Sequence, residues 1–158
     1  MPDLVTHVAA GYVVALPFWK RTSARVLFFL GTVLPDLATR PLNIFLPGAG
    51  RFTEPLHSPV GYTVLCWFAA QLFAERGLRK TAFWMLFAGG FLHFAMDALQ
   101  KHVAGGYTWL FPFSTVSYSW GLFWPEDGLA WLPVWALAIV VIELVMRQRS
   151  RKSEPYGP

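Results

Sequence analysis

The chain has little of what a soluble enzyme or a secreted domain is built with. A single cysteine, Cys66, stands among its 158 residues, so an internal disulfide is excluded. Its place in an apolar run marks it as a small core residue. Charge is scarce as well: 14% of residues are Asp, Glu, Lys or Arg, where soluble domains carry about 25%. The N-terminal stretch Met-Pro-Asp-Leu-Val-Thr-His shows neither a basic n-region nor a cleavage site, and it is not expected to act as a removable signal peptide. No internal repeat is present.

What the chain has in quantity is apolar surface. Hydrophobic residues make up 55%, aromatic residues 17%, and the mean hydropathy is +0.43. Eight Trp and fourteen Phe suit the aromatic belts of a membrane protein. Five apolar segments follow one another: about Leu4 to Trp19, Ser23 to Leu34, Pro59 to Ala74, Thr81 to Gln100, and Leu129 to Met146. The last three approach the roughly 20 residues that span a bilayer. The first two are short for a span and read as stubby spans over a thinned bilayer or as a helical hairpin. The expected fold is all-α, a polytopic bundle over residues 1–149 with a polar tail at 150–158.

The thirteen Lys and Arg residues set an orientation. Lys20, Arg21 and Arg25 separate segments one and two; Arg76, Arg79 and Lys80 separate three and four; Arg147, Arg149, Arg151 and Lys152 follow five. These groups fall on one side of an alternating path, which the positive-inside rule assigns to the cytoplasm. The N-terminus is then expected outside and the C-terminus inside. The net charge of +4 is accounted for by this clustering, and nucleic acid is not an expected partner.

With that topology the other ionisable residues gather at the outer ends. His93 and Asp97 stand one turn apart on one helix face, inside an apolar stretch where such groups are costly and mark function. His7 opens segment one, Asp36 follows segment two in Leu34-Pro35-Asp36, and Glu54 and His57 precede segment three. Gly11, Gly61 and Gly89 each lie four residues from a histidine, which lets the histidine-bearing faces pack closely. Residues 40–56, with Pro41, Pro47, Gly48 and Gly50, read as an irregular loop. Residues 101–128 read as an aromatic cap with one short helix at most. Imidazoles and carboxylates in this number suit Zn²⁺, Mn²⁺ or Fe²⁺, and such an ion lowers the pKa of its water toward about 7. Glu54 is the candidate general base. Plainer roles stand beside these: a buried His93–Asp97 hydrogen bond, an interfacial His7 or His57, a turn at Pro35-Asp36, and Glu54 at a helix dipole. His102 would point away from the site, about 140° around the helix from Asp97.

In order, Thr6-His7, Leu34-Pro35-Asp36-Leu37, Leu56-His57-Ser58, His93-Phe94-Ala95-Met96-Asp97 and Phe111-Pro112-Phe113-Ser114 resemble the motifs of the bacterial inner-membrane metal-dependent hydrolases. These are also described as LexA-binding, inner-membrane-associated hydrolases, and are distantly similar to zinc-dependent phospholipase C and the S1/P1 nucleases. The resemblance implies a phospholipase C/P1 nuclease-like helical core. It also implies metal ligation, most simply of zinc, by His7, Asp36, His57, His93 and Asp97. The family's second acid after the Pro-Asp pair is Ala38 here, and its His-Arg-Gly stretch is replaced by residues 50–54. The expected function is hydrolysis of a phosphoester or ester, lipid-linked, at the extracytoplasmic face, with Asp36 or Glu54 managing protons and the aromatic cap from Tyr107 to Trp124 holding the acyl or prenyl chain. The alternatives are a non-catalytic membrane protein that binds a metal or a partner, and a small proton-coupled transporter.

Overall fold

The computed structural model describes residues 4–18, 20–46, 48, 50–102, 105–124 and 126–153. The elements are α1 (Leu4–Phe18), α2 (Thr22–Phe45), α3 (Gly50–Thr53), a 3-10 turn (Glu54–His57), α4 (Pro59–Gln71), α5 (Arg76–Leu99), α6 (Asp127–Ala130) and α7 (Leu132–Ser153). Among the described residues there is no regular strand. Two isolated bridges, Gln100 with Phe123 and Tyr107 with Tyr118, tie together the cap that links α5 to α6. All-α architecture is thus the observed class.

Several elements differ from the sequence-based expectation. Helix α2 does not stop at Leu34; it runs through Pro35 and Pro41 to Phe45. The expected loop at 40–56 contains the end of α2, the short α3 and the 3-10 turn. Helix α4 is shorter than its apolar segment, ending at Gln71. Of the described helices, α5 alone is long and apolar enough to cross a membrane. Trp19, the expected end of segment one, lies outside the described residues.

The centre of the fold is the packing of α2 on α5, flanked by α4 and α1. Each of the two central helices buries one stripe at helical spacing. On α5 the stripe is Ala82, Leu86, Gly89, Gly90, His93, Phe94 and Asp97. On α2 it is Ala24, Leu27, Phe28, Gly31, Thr32, Pro35, Asp36 and Thr39, with Val33 beside it. Both stripes begin apolar, turn small in the middle and end polar. In the middle the backbones nearly touch. A Cβ on Gly31 would strike the Leu86 carbonyl, and one on Gly89 would strike the Phe28 carbonyl. This is small-residue packing, and it draws Asp36 and His93 to the same level.

Pro35 explains a further contact. It has no N–H, so it leaves the Gly31 carbonyl without its usual donor four residues on. The Tyr62 hydroxyl, from α4, lies 3.0 Å from Gly31 O and 2.8 Å from Leu86 O. The phenol therefore takes the place of the missing amide and joins three helices in a dry interior, where an unmet carbonyl is costly. Gly90 leaves room for the Tyr62 ring.

Tyr62→Phe is expected to cost about 1–3 kcal/mol of stability in detergent. The same change in a Pro35→Ala background should cost less, because alanine at this position restores the amide. Equal cost in both backgrounds, measured as a double-mutant cycle by thermal unfolding, contradicts the assignment.

Candidate functional site

His93 and Asp97 close the polar end of the α5 stripe, both with no solvent exposure. His7 reaches them from the first turns of α1 and is likewise fully buried. His57 comes from the 3-10 turn, whose exit is fixed by local sequence. Ser58 Oγ accepts from the Gly61 amide at 3.2 Å and donates to the Pro55 carbonyl at 2.7 Å, while Pro59 starts α4 with a residue suited to a first helical turn. This Ser-Pro junction holds His57 against the bundle.

The three imidazoles converge on one carboxylate. His57 Nε2 lies 2.9 Å from Asp97 Oδ2, His93 Nε2 3.2 Å from the same oxygen, and His7 Nε2 3.2 Å from Oδ1. His57 Nε2 and His93 Nε2 are 3.4 Å apart. The His7 and His93 rings lie 4.2 Å apart, tilted by 36°. Two sets of three ligand atoms each fit within 4.8 Å: His7, Asp36 and His93, and His57, His93 and Asp97. His93 belongs to both.

Proton positions sharpen this picture. His93 Nδ1 lies 2.9 Å from the Thr32 carbonyl, which only accepts, so Nδ1 carries the proton. In neutral His93 the Nε2 atom is then a bare lone pair, yet it faces a carboxylate oxygen and a second imidazole nitrogen. That lone pair can be met by a proton on His57 Nε2, by a second proton on the His93 ring, or by a cation. Donors bound tetrahedrally at about 2.0–2.2 Å lie about 3.3–3.6 Å from one another; the two His93 separations, 3.2 and 3.4 Å, come near this, while the 2.9 Å between His57 and Asp97 is a hydrogen-bond distance. Asp97 Oδ1, fully buried, has no well-aligned hydrogen bond among the described residues. The Thr32 carbonyl fixes the tautomer of His93, as a backbone acceptor would for a histidine that binds a metal. The residues present therefore fit a divalent ion.

Around this cluster lie groups that no sequence pattern placed there. Arg40, one turn after Asp36, brings its guanidinium to 2.8 Å from Asp36 Oδ2. Tyr107, from the cap, stacks on His57 at 4.6 Å and 25°. Two left-handed glycines, Gly105 at φ 88° and Gly106 at φ 115°, bend the chain just before it. Burial pushes the Tyr107 phenol above its usual range, and the nearby Asp97 and Asp36 carboxylates add to this; the group stays a neutral donor. His102 meets the Tyr107 ring edge-on at 4.3 Å, and burial holds its imidazole below the usual range.

The structure thus brings together all five residues singled out in the sequence as metal ligands: His7, Asp36, His57, His93 and Asp97. Asp36 sits on the inner face of a continuous helix and not in a turn. His102 stays outside both ligand sets. The Glu54 side chain lies outside the described residues. Thr32, Arg40, Tyr62 and Tyr107 were missed. Arg40 had a visible signal, four residues after an acid. Tyr107 had only the Gly-Gly before it.

A family model described as the YdjM inner membrane protein matches residues 1–155. The chain belongs to that family. Membership puts this member at the inner membrane, in agreement with its composition. No curated protein and no solved structure matches it.

Asp97 faces three imidazoles and Asp36 faces an arginine, so the two acids should differ in weight. Asp97→Asn is expected to lower zinc affinity at least about a hundredfold, and Asp36→Asn less, in calorimetric titrations of metal-free protein. Imidazole must be unprotonated to bind metal, so affinity should fall as pH drops from about 7.5 to about 5.5. Equal losses in the two variants, or affinity independent of pH, contradict the geometry.

Proposed function

We propose that this chain is a polytopic membrane protein and a metal-dependent hydrolase of phosphoester or ester bonds, acting on lipid-linked substrates at the extracytoplasmic face. The observation that carries the reading is the set of three Nε2 atoms around one buried carboxylate, with the other nitrogen of His93 pinned to Thr32 O. A closed structural site would need four donors; here Asp36 adds a fifth group. Zinc suits the donors best, with Mn²⁺ or Fe²⁺ as alternatives. A bound divalent ion supplies a nucleophile at neutral pH and stabilises charge developing on a substrate oxygen.

The side chains divide the remaining work. Asp97 and the three histidines hold the ion, and Phe94 and Tyr107 exclude water from their rings. Asp36 accepts and returns protons, with Glu54 of the neighbouring turn as the second candidate. The Arg40 guanidinium beside Asp36 matches the oxygen pairs of a phosphate. Support for a membrane-crossing bundle comes from α5 and from the exposed apolar side chains Val134, Leu137, Val140, Val141 and Leu144 on α7, a patch too large for an aqueous surface. The three basic clusters favour N-terminus out, C-terminus in.

A second reading, a metal-binding membrane protein without turnover, draws on two features. Arg40 already engages Asp36, and Ala38 stands where a further acid would complete a second ion site.

Protein purified from membranes is expected to carry stoichiometric zinc and to cleave a generic phosphodiester or carboxylic ester until chelator is added. In His93→Ala both metal content and turnover should fall to the chelated baseline. Metal retained without turnover across both substrate panels favours the second reading. An absence of bound metal in the wild type removes both.

A further inference from the structure

Phe94 has two sides. One meets the imidazoles of His57 and His93 edge-on, at 5.6 and 5.7 Å. The other meets Trp109 at 6.0 Å and Tyr62 at 5.4 Å, and there it forms the inner end of an apolar groove of about 270 Å³. The floor is α5, where Ala95 and Ala98 make a shallow channel beside Phe91; one wall is Pro59 of α4, and the other is Trp109 and Trp120 of the cap.

The groove is held in shape by the backbone. The Trp120 amide donates to Ala98 O at 2.7 Å, and the Leu122 amide to Leu99 O at 2.8 Å, which fastens the cap along α5. The Trp109 indole N–H donates to Tyr118 O at 2.6 Å, so its one polar atom is committed away from the channel. The far end is open: Phe91 is 68% exposed and Trp120 58%. The result is a narrow apolar channel that opens at the surface of a membrane protein and ends at the Phe94 ring, on whose other side stand the imidazoles of His57 and His93. A ligand that satisfies both ends is an amphipath with a polar head and a flexible hydrocarbon chain. A peptide would leave its backbone polar groups unmet along the apolar walls.

We infer that this groove binds one hydrocarbon chain of a membrane lipid whose phosphate or ester head lies at the His7–His57–His93–Asp97 cluster. The position of the head rests on the hydrolase reading above; the chain site rests on the groove itself. Acyl and polyprenyl chains share the required chemistry, and separate probes distinguish them.

The test uses full-length protein in phosphatidylethanolamine–phosphatidylglycerol vesicles. Two probes are compared: a phospholipid with a diazirine near the end of one acyl chain, and a polyprenyl phosphate carrying the same group. After illumination, labelled residues are mapped by mass spectrometry. Labelling by either probe is expected to concentrate on Phe91, Ala95 and Trp120, well above that on Leu137, Val141 and Leu144 of α7. Ala95→Trp fills the channel and should reduce groove labelling several-fold, leaving α7 unchanged; Ala98→Phe provides the same test should Ala95→Trp fail to fold. Labelling spread evenly over all apolar faces, or unchanged by both substitutions, overturns the chain site. The measurement needs neither metal nor turnover. Groove labelling that persists in a protein without bound metal keeps the chain site while the hydrolase reading falls.

Discussion

Where α2 crosses α5, two backbones lie so close that neither Gly31 nor Gly89 can carry a Cβ. The approach sets the depth of everything beyond it. It brings the Thr32 carbonyl within 2.9 Å of His93, and so fixes which nitrogen of that ring is bare. It places Asp36 opposite His93 and leaves a gap that Tyr62 fills with its hydroxyl, standing in for the amide that Pro35 lacks. The proline that interrupts the helix, the glycines that thin it and the tyrosine that repairs it work as one device. Its effect is to carry polar groups into an apolar interior with their partners already in place, the only way such groups are tolerated there.

Charge then decides what the polar end can hold. Three imidazoles and two carboxylates share a small buried volume, with one arginine at its edge. Without a cation, neutral His93 would aim a lone pair at Asp97. A divalent ion would resolve that conflict, as would a proton on His57 Nε2. Desolvation of this kind also raises the value of each remaining interaction, consistent with a site that works under an aromatic cover formed by Tyr107, Trp109 and Phe94.

Much of this was legible in the sequence. The His93–Asp97 pair follows from helical periodicity, and the alternation of basic clusters was enough to gather His7, Asp36 and His57 beside it. Membership of an inner-membrane family agrees with the hydropathy. The extent of α2 was not legible, because Pro35 and Pro41 are ordinary stop signals, and only tertiary partners such as Tyr62 let the helix continue. For the same reason residues 40–56 looked like a loop. The cap offered no periodicity to read, so the placing of Tyr107 over His57 and of Trp109 and Trp120 beside α5 emerged only in three dimensions. Arg40, which lies outside the three basic clusters, proved to be the partner of Asp36.

Everything proposed for the polar end depends on the His7–His57–His93–Asp97 cluster holding an ion through its Nε2 and carboxylate atoms. X-ray absorption at the zinc edge, on wild-type protein purified with zinc, measures this directly. The expected spectrum has imidazole scattering with N and O donors at about 2.0–2.2 Å, and it loses one imidazole contribution in His57→Ala. A spectrum of hydrated zinc without imidazole scattering, or one identical in His57→Ala and wild type, would contradict it.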